Sequence, residues 1–197
     1  MKIKIVIISF LASCIMFVSC GELSSVASQL AGVANLVNCE YSLKNISNIS
    51  VAGVNLKQVT KGNVTVADAA RLLYAITSKT VPLTMDVNVN VKNPTQNKAN
   101  VTAMAWALDI EKKQIANGNN NMAYVIEPKK TTVVPLNVGT DIYSVFANGG
   151  VEALKNFAGS FGNDGKSSRL DLRIKPSINI AGRNISTPNY INITKKV

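Results

Sequence analysis

The sequence predicts a mainly β chain: an antiparallel β-sandwich with two or three added helices. Leu83, Met85, Val87, Val89 and Val91 alternate without exception with Thr84, Asp86, Asn88, Asn90 and Lys92. That two-residue period belongs to a strand with one buried and one wet face. Leu170, Leu172 and Ile174 repeat the pattern against Asp171, Arg173 and Lys175. Turn signals recur around these segments at the spacing of sandwich strands, with no βαβ rhythm and no internal repeat.

The chain opens on Lys2 and Lys4, followed by an apolar run from Ile5 to Val18. This is the core of a secretory signal, shorter than the roughly 20 apolar residues that a membrane-spanning helix needs. The run ends in Phe17-Val18-Ser19-Cys20-Gly21, which resembles the lipobox of bacterial lipoproteins. There a cysteine following a small residue is diacylated on sulfur and becomes the mature N-terminus. Phe17 stands where leucine is usual. Leu11-Ala12-Ser13-Cys14 fits the pattern letter for letter, but cleavage there would leave a short hydrophobic core and an apolar start, Ile15-Met16-Phe17-Val18. Cys20 is the expected lipidation site and Cys14 the alternative. The expected organisation is a signal at 1–19, an anchored helix or spacer at 20–38 and one sandwich domain at 39–197.

Leu23, Val26, Leu30, Val33 and Val37 share one helical stripe, expected to pack on the domain, with a spacer lying near the membrane as the alternative. Glu40 to Leu56 reads as a long first strand whose apolar positions change parity between Leu43 and Ile46, the mark of a bulge or kink. Thr65 is placed to cap a helix at 65–78, Asp68 suits its positive first turn, and Ala69, Leu72, Leu73 and Ile76 form its apolar face. Asn93-Pro94-Thr95 closes the valine strand, because proline cannot donate to a ladder. Val101 to Ile110 is the next strand, with Met104, Trp106, Leu108 and Ile110 on one side. Gln114-Ile115-Ala116 returns into a turn at Asn117-Gly118. Two strands, Met122 to Glu127 and Thr131 to Val138, flank Pro128-Lys129-Lys130. A helical insertion at 141–158, interrupted by Gly149-Gly150, leads through a glycine-rich loop to Ser168. The second alternating strand keeps its parity past Pro176 to Ile180. A turn at Gly182-Arg183-Asn184 precedes an edge strand at Tyr190 to Ile193.

Several of these features recur in one order. A valine strand runs into Lys92-Asn93-Pro94. A hairpin strand leads to Ile115-Ala116-Asn117-Gly118, and then come Ile126-Glu127-Pro128 and Thr131-Thr132-Val133-Val134-Pro135-Leu136. In this the segment from about 81 to 180 resembles the type 2 late embryogenesis abundant family, the water stress and hypersensitive response (WHy) domain. Thr95 stands where that family often has a second asparagine. The resemblance implies a fibronectin/immunoglobulin-like sandwich, structural roles for Asn93, Pro94, Gly118 and Pro128, no catalytic residues and no cofactor. Family members are linked to desiccation and stress protection, some eukaryotic relatives are proposed to handle lipid, and bacterial copies are often lipoproteins.

Composition narrows the chemistry. The 197 residues include no histidine, which excludes Ser-His-Asp and Cys-His nucleophile pairs and any imidazole zinc site. Cys14 leaves with the signal and Cys20 carries lipid, so Cys39 remains alone, expected as a small buried apolar residue. Asp86 and Asp171 fall on wet strand faces, Asp109 and Glu111 read as solvated charges beside a hairpin, and Asp141 stands apart. None has the spacing of a calcium loop. Gly165-Lys166-Ser167 lacks the first glycine of a phosphate loop, since Ser160 stands there. Lys+Arg number 21 against 11 Asp+Glu, a net +10. The lysines lie near turns without interleaved aromatics, which suits solubility or anionic lipid rather than nucleic acid. Gly21 after the lipidated cysteine, where aspartate would retain a lipoprotein in the inner membrane, points to a periplasm-facing outer-membrane location. The expectation is a membrane-anchored, non-catalytic and metal-free interaction module. Its alternative is a carrier of lipid or another apolar ligand.

Overall fold

Each alternating segment of the sequence becomes the centre of a sheet. The computed structural model describes residues 34–110, 112–146, 169–180 and 182–196. Among these, β1 (Glu40–Val51) turns into β2 (Val54–Asn55), a short α1 (Leu56–Thr60) and α2 (Val66–Thr77). Then come β3 (Pro82–Lys92), β4 (Ala99–Val101), β5 (Ala103–Ile110), β6 (Lys113–Asn120), β7 (Tyr124–Ile126) and β8 (Thr131–Asp141). A short α3 (Tyr143–Phe146) follows, then β9 (Arg169–Ile180), β10 (Arg183–Ser186) and β11 (Ile191–Lys196).

One sheet runs β2-β1-β3-β8 and the other β10-β9-β5-β6, with β11 also paired to β9, while β4 and β7 form a small ribbon of their own. The strand pairings among the described residues are antiparallel. The inward residues of β3, β8, β5 and β9 belong to a single apolar cluster, with Val87, Leu136, Leu108 and Ile174 all at 0% exposure. Burying side chains of this size stabilises by about 1.5–3 kcal/mol each. Thr140 Oγ1 donates to the Ile115 carbonyl at 2.9 Å and Asn120 Nδ2 to the Pro135 carbonyl at 2.7 Å, so the β6 and β8 edges of the two sheets are laced together.

The parity change in β1 is a register shift between Leu43 and Asn45, with a second between Ser47 and Ser50, where Asn48 takes a φ of 53°. β9 passes through Pro176 unbroken. The Pro176 carbonyl accepts from the Thr187 amide at 3.0 Å, in the junction between β10 and β11. The missing N–H therefore falls where no strand continues the ladder.

Several expectations change. The first strand, expected to reach Leu56, ends at Val51, and Leu56 opens α1. Arg183 and Asn184, expected in a turn, open β10. Thr102 splits the strand expected at 101–110 into β4 and β5. β6 runs through Asn117 and Gly118 to Asn120, so the turn expected there is strand. β8 extends to Asp141, which starts the helical insertion at Tyr143 instead. The last strand begins at Ile191. At the described end of the N-terminal helix, residues 34–38, Leu36 is buried and Val37 exposed, which moves the inward face off the expected stripe. The Leu36 carbonyl also accepts from the Tyr41 hydroxyl at 2.8 Å, which fixes that end of the helix against β1. The segment 147–168, with its expected helix at 151–158 and glycine-rich loop, lies outside the described residues.

Candidate functional site

The sandwich has two ends. The near pole holds Glu40, Lys92 and Thr131, where the chain arrives from residues 34–38. The far pole holds Val51, Pro82 and Asp141. Cys20 and Cys14 lie outside the described residues, so the expected lipidation site has no geometry here.

Of the residues singled out by the resemblance, Asn93, Pro94 and Pro128 lie at the near pole and Gly118 lies within the β5–β6 ladder. Asn93 is fully buried at the end of β3. Its amide donates to the Asn97 carbonyl at 2.7 Å and the Ile126 carbonyl at 3.0 Å, and its Oδ1 accepts from the Thr95 amide at 3.0 Å and hydroxyl at 2.8 Å. A buried amide with both donors and its acceptor engaged fixes the loop to β7. Thr95, the departure from the family pattern, supplies one of those partners. The Pro94 carbonyl accepts from Lys129 Nζ, and Pro128 opens the turn in which Lys129 adopts a φ of 57°. Gly118 acts through close approach. It lies opposite Trp106 in the β5–β6 ladder, and a Cβ there would sit 2.6 Å from Trp106 Cζ2.

The far pole carries a groove of about 420 Å³ lined by Ala52, Arg71, Tyr74, Ala75, Ser78, Thr80 and Pro82. It falls within the roughly 300–1,000 Å³ of small-molecule sites. Helix α2 forms one wall. Thr65 Oγ1 accepts from the Asp68 amide at 3.1 Å and the Asp68 carboxylate accepts from the Thr65 amide at 3.2 Å, a reciprocal cap. The Thr65 hydroxyl bond chiefly holds the Asp68 carboxyl below the usual carboxylate range. Of the expected apolar face, Leu72 and Ile76 are half-buried, while Ala69 and Leu73 are exposed. Ala75 is the buried residue of the helix. Apolar Ala52, Ala75 and Pro82 share the lining with Arg71, whose Nη1 lies 3.4 Å from the Asp68 carboxylate, and with the hydroxyl-bearing Tyr74, Ser78 and Thr80.

The acids are placed differently from expectation in one case. Asp109 is not a solvated turn charge: it lies in β5 directly opposite Asp171 of β9. Each has its own cation, with Arg173 Nη2 at 3.2 Å from Asp109 and Arg169 Nε at 2.8 Å from Asp171. The Arg169 and Thr194 hydrogen bonds hold the Asp171 carboxyl below its usual range. A general acid working near neutrality needs the opposite shift. Asp86 accepts from Asn48 and Asn137, each at 2.7 Å, and Asp141 accepts from the Val81 amide at 3.1 Å and the Tyr143 amide at 2.8 Å. No three metal-ligating side chains converge among the described residues. Glu111 and the Gly165-Lys166-Ser167 segment lie outside them. Cys39 is buried, its thiol donates to the Asn35 carbonyl at 3.2 Å, and burial pushes it up to about 11.

No family model matches the sequence, and no curated protein matches it. Among solved structures, the chain is similar to a protein of Arabidopsis thaliana at 16% identity, covering 58% of this chain and 69% of that one with a TM-score of 0.40. It is also similar to a candidate late embryogenesis abundant (LEA) protein at 17% identity, covering 89% and 85% with a TM-score of 0.37. A candidate lipoprotein of Bacillus subtilis is similar at 15% identity, over 58% of this chain and 29% of that one, with a TM-score of 0.30.

Proposed function

We propose that the chain is an exported bacterial lipoprotein, held in the outer membrane by acyl chains on Cys20 and facing the periplasm. Its sandwich acts as a non-catalytic structural or interaction module with a stress-related role. The observation that carries the anchor is the succession of Lys2 and Lys4, the apolar run to Val18 and Ser19-Cys20-Gly21. The stress-related role rests on the resemblance of residues 81–180 to the WHy domain. The non-catalytic role is supported by the described acids, which are spent on ion pairs, caps and amide contacts. Radiolabelled palmitate is expected to enter the wild type and not Cys20→Ala. Label kept by Cys20→Ala and lost from Cys14→Ala would move the anchor to Cys14.

The groove beside α2 favours a second reading, a carrier of an anionic amphiphile. Native mass spectrometry of the detergent-extracted lipoprotein is then expected to show a retained fatty acid. Arg71→Gln would weaken its binding by about tenfold, the order of one charge-assisted hydrogen bond. A clean apo mass with no fatty-acid uptake would remove this reading.

A further inference from the structure

The near pole combines three features. Residues 34–38 dock there, with Asn35 Nδ2 donating to the Lys98 carbonyl at 3.2 Å. Large apolar side chains stand out into solvent: Val37 at 54%, Met122 at 60% and Val125 at 52% exposure. Lys92, Lys98, Lys129 and Lys130 lie at the same pole, and the pole's described acids are already matched. Glu40 pairs with Lys92 at 2.9 Å and Glu127 with Lys98 at 3.0 Å, which leaves Lys129 and Lys130 with no acidic partner among the described residues.

The anchored segment enters the sandwich at the near pole. About 14 residues separate Cys20 from Ala34, and residues 34–38 dock at that pole through Asn35. β1, of 12 residues, sets the far pole about 40 Å beyond that entry point at the rise of a strand. The near pole is therefore the end of the sandwich that the anchored segment enters, and the far pole is the end farther from it.

We infer that the near pole is a membrane-contact surface. Lys129 and Lys130 meet anionic phospholipid head groups while Val37, Met122 and Val125 enter the interfacial layer. The inference rests on acylation of Cys20. Apolar side chains together with lysines are the composition that binds an anionic interface, with each lysine adding attraction within a Debye length. The contact would orient the sandwich with the α2 groove pointing away from the bilayer, open to soluble ligands or partners.

Lysine acetylation footprinting of the full acylated chain in vesicles tests this. Vesicles of phosphatidylcholine alone are compared with vesicles that also contain phosphatidylglycerol. Lys129 and Lys130 should react about fivefold more slowly in the anionic vesicles, the factor matching about 1 kcal/mol of attraction per lysine. Lys61 and Lys79 at the far pole should react at the same rate in both. Equal rates at all four lysines in protein that floats with the vesicles would overturn the contact and leave the anchor standing. Protection at Lys61 and Lys79 instead would overturn it too, as would protection at the near pole that ignores lipid charge, the signature of a protein contact between copies. Protein that fails to float would remove the anchor and the contact together.

Discussion

β3 and α2 carry two of the most regular patterns in the sequence, and the structure treats them in opposite ways. The five apolar residues of β3 from Leu83 to Val91 are at or below 2% exposure, while α2 buries Ala75 and leaves Leu73 at 59%. The difference is one of partners. β3 is hydrogen-bonded to β1 on one side and β8 on the other, and its inner face meets the opposing sheet. α2 lies at the far pole against the ends of strands, so one shallow side of it is covered. Periodicity thus gives the geometry of a segment, whereas burial depends on how much of the molecule comes to meet it.

The largest effect that would break this comparison belongs at the centre of the sheets. Leu136 faces Val87 across the β3–β8 ladder and is fully buried. Leu136→Ala should cost about 3–5 kcal/mol in urea unfolding, combining lost transfer energy with a residual cavity. A cost near 1 kcal/mol would show the core to be as loosely held as the helix.

Asn93→Ala comes next. It removes four hydrogen bonds at a buried site and strands the Ile126 carbonyl, at about 2–3 kcal/mol. Hydrogen exchange should localise the damage to residues 94–98 and β7, with β9 amides slowed or hastened only as global stability changes. Uniform acceleration that exceeds the fall in global stability would refute the view of Asn93 as a local clasp.

These effects show which parts of the molecule were legible in advance. The β1 bulge was visible because a parity change has one geometric meaning, and the Thr65–Asp68 cap because its residue types recur three apart. Asn93 was singled out by resemblance, but its buried hydrogen bonds depend on Asn97 and Ile126, which no local pattern couples to it. Gly118 was misread as a turn because Asn-Gly favours one in isolation, and its real neighbour, Trp106, is supplied by another strand. The Asp109–Asp171 pairing likewise requires the β5–β9 register. The lining of the groove was not legible, since it is made of what α2 fails to cover.

On the helix itself, the cap matters more than the apolar face. Thr65→Ala should cost about 1 kcal/mol, seen as faster exchange of α2 amides and little change in β3. Asp68 sharpens the test. Its folded-state carboxyl lies below its unfolded value, so its contribution is present above the unfolded value and lost as pH falls through the folded one. Wild-type α2 should loosen over that acidic interval, and Thr65→Ala should lose most of the pH dependence, because the Thr65 hydroxyl is the main cause of the shift.

The smallest effect is the most discriminating for the role of the far pole. If Leu73 contributes through packing, Leu73→Ser should cost the 2 kcal/mol or more typical of a buried leucine. At its observed exposure the cost should stay within about 0.5 kcal/mol, as for surface positions generally. A near-zero cost together with weaker fatty-acid retention would tie the exposed face of α2 to ligand binding at the neighbouring groove. A cost of 2 kcal/mol would mean that α2 is covered in solution, and the contrast with β3 would then disappear.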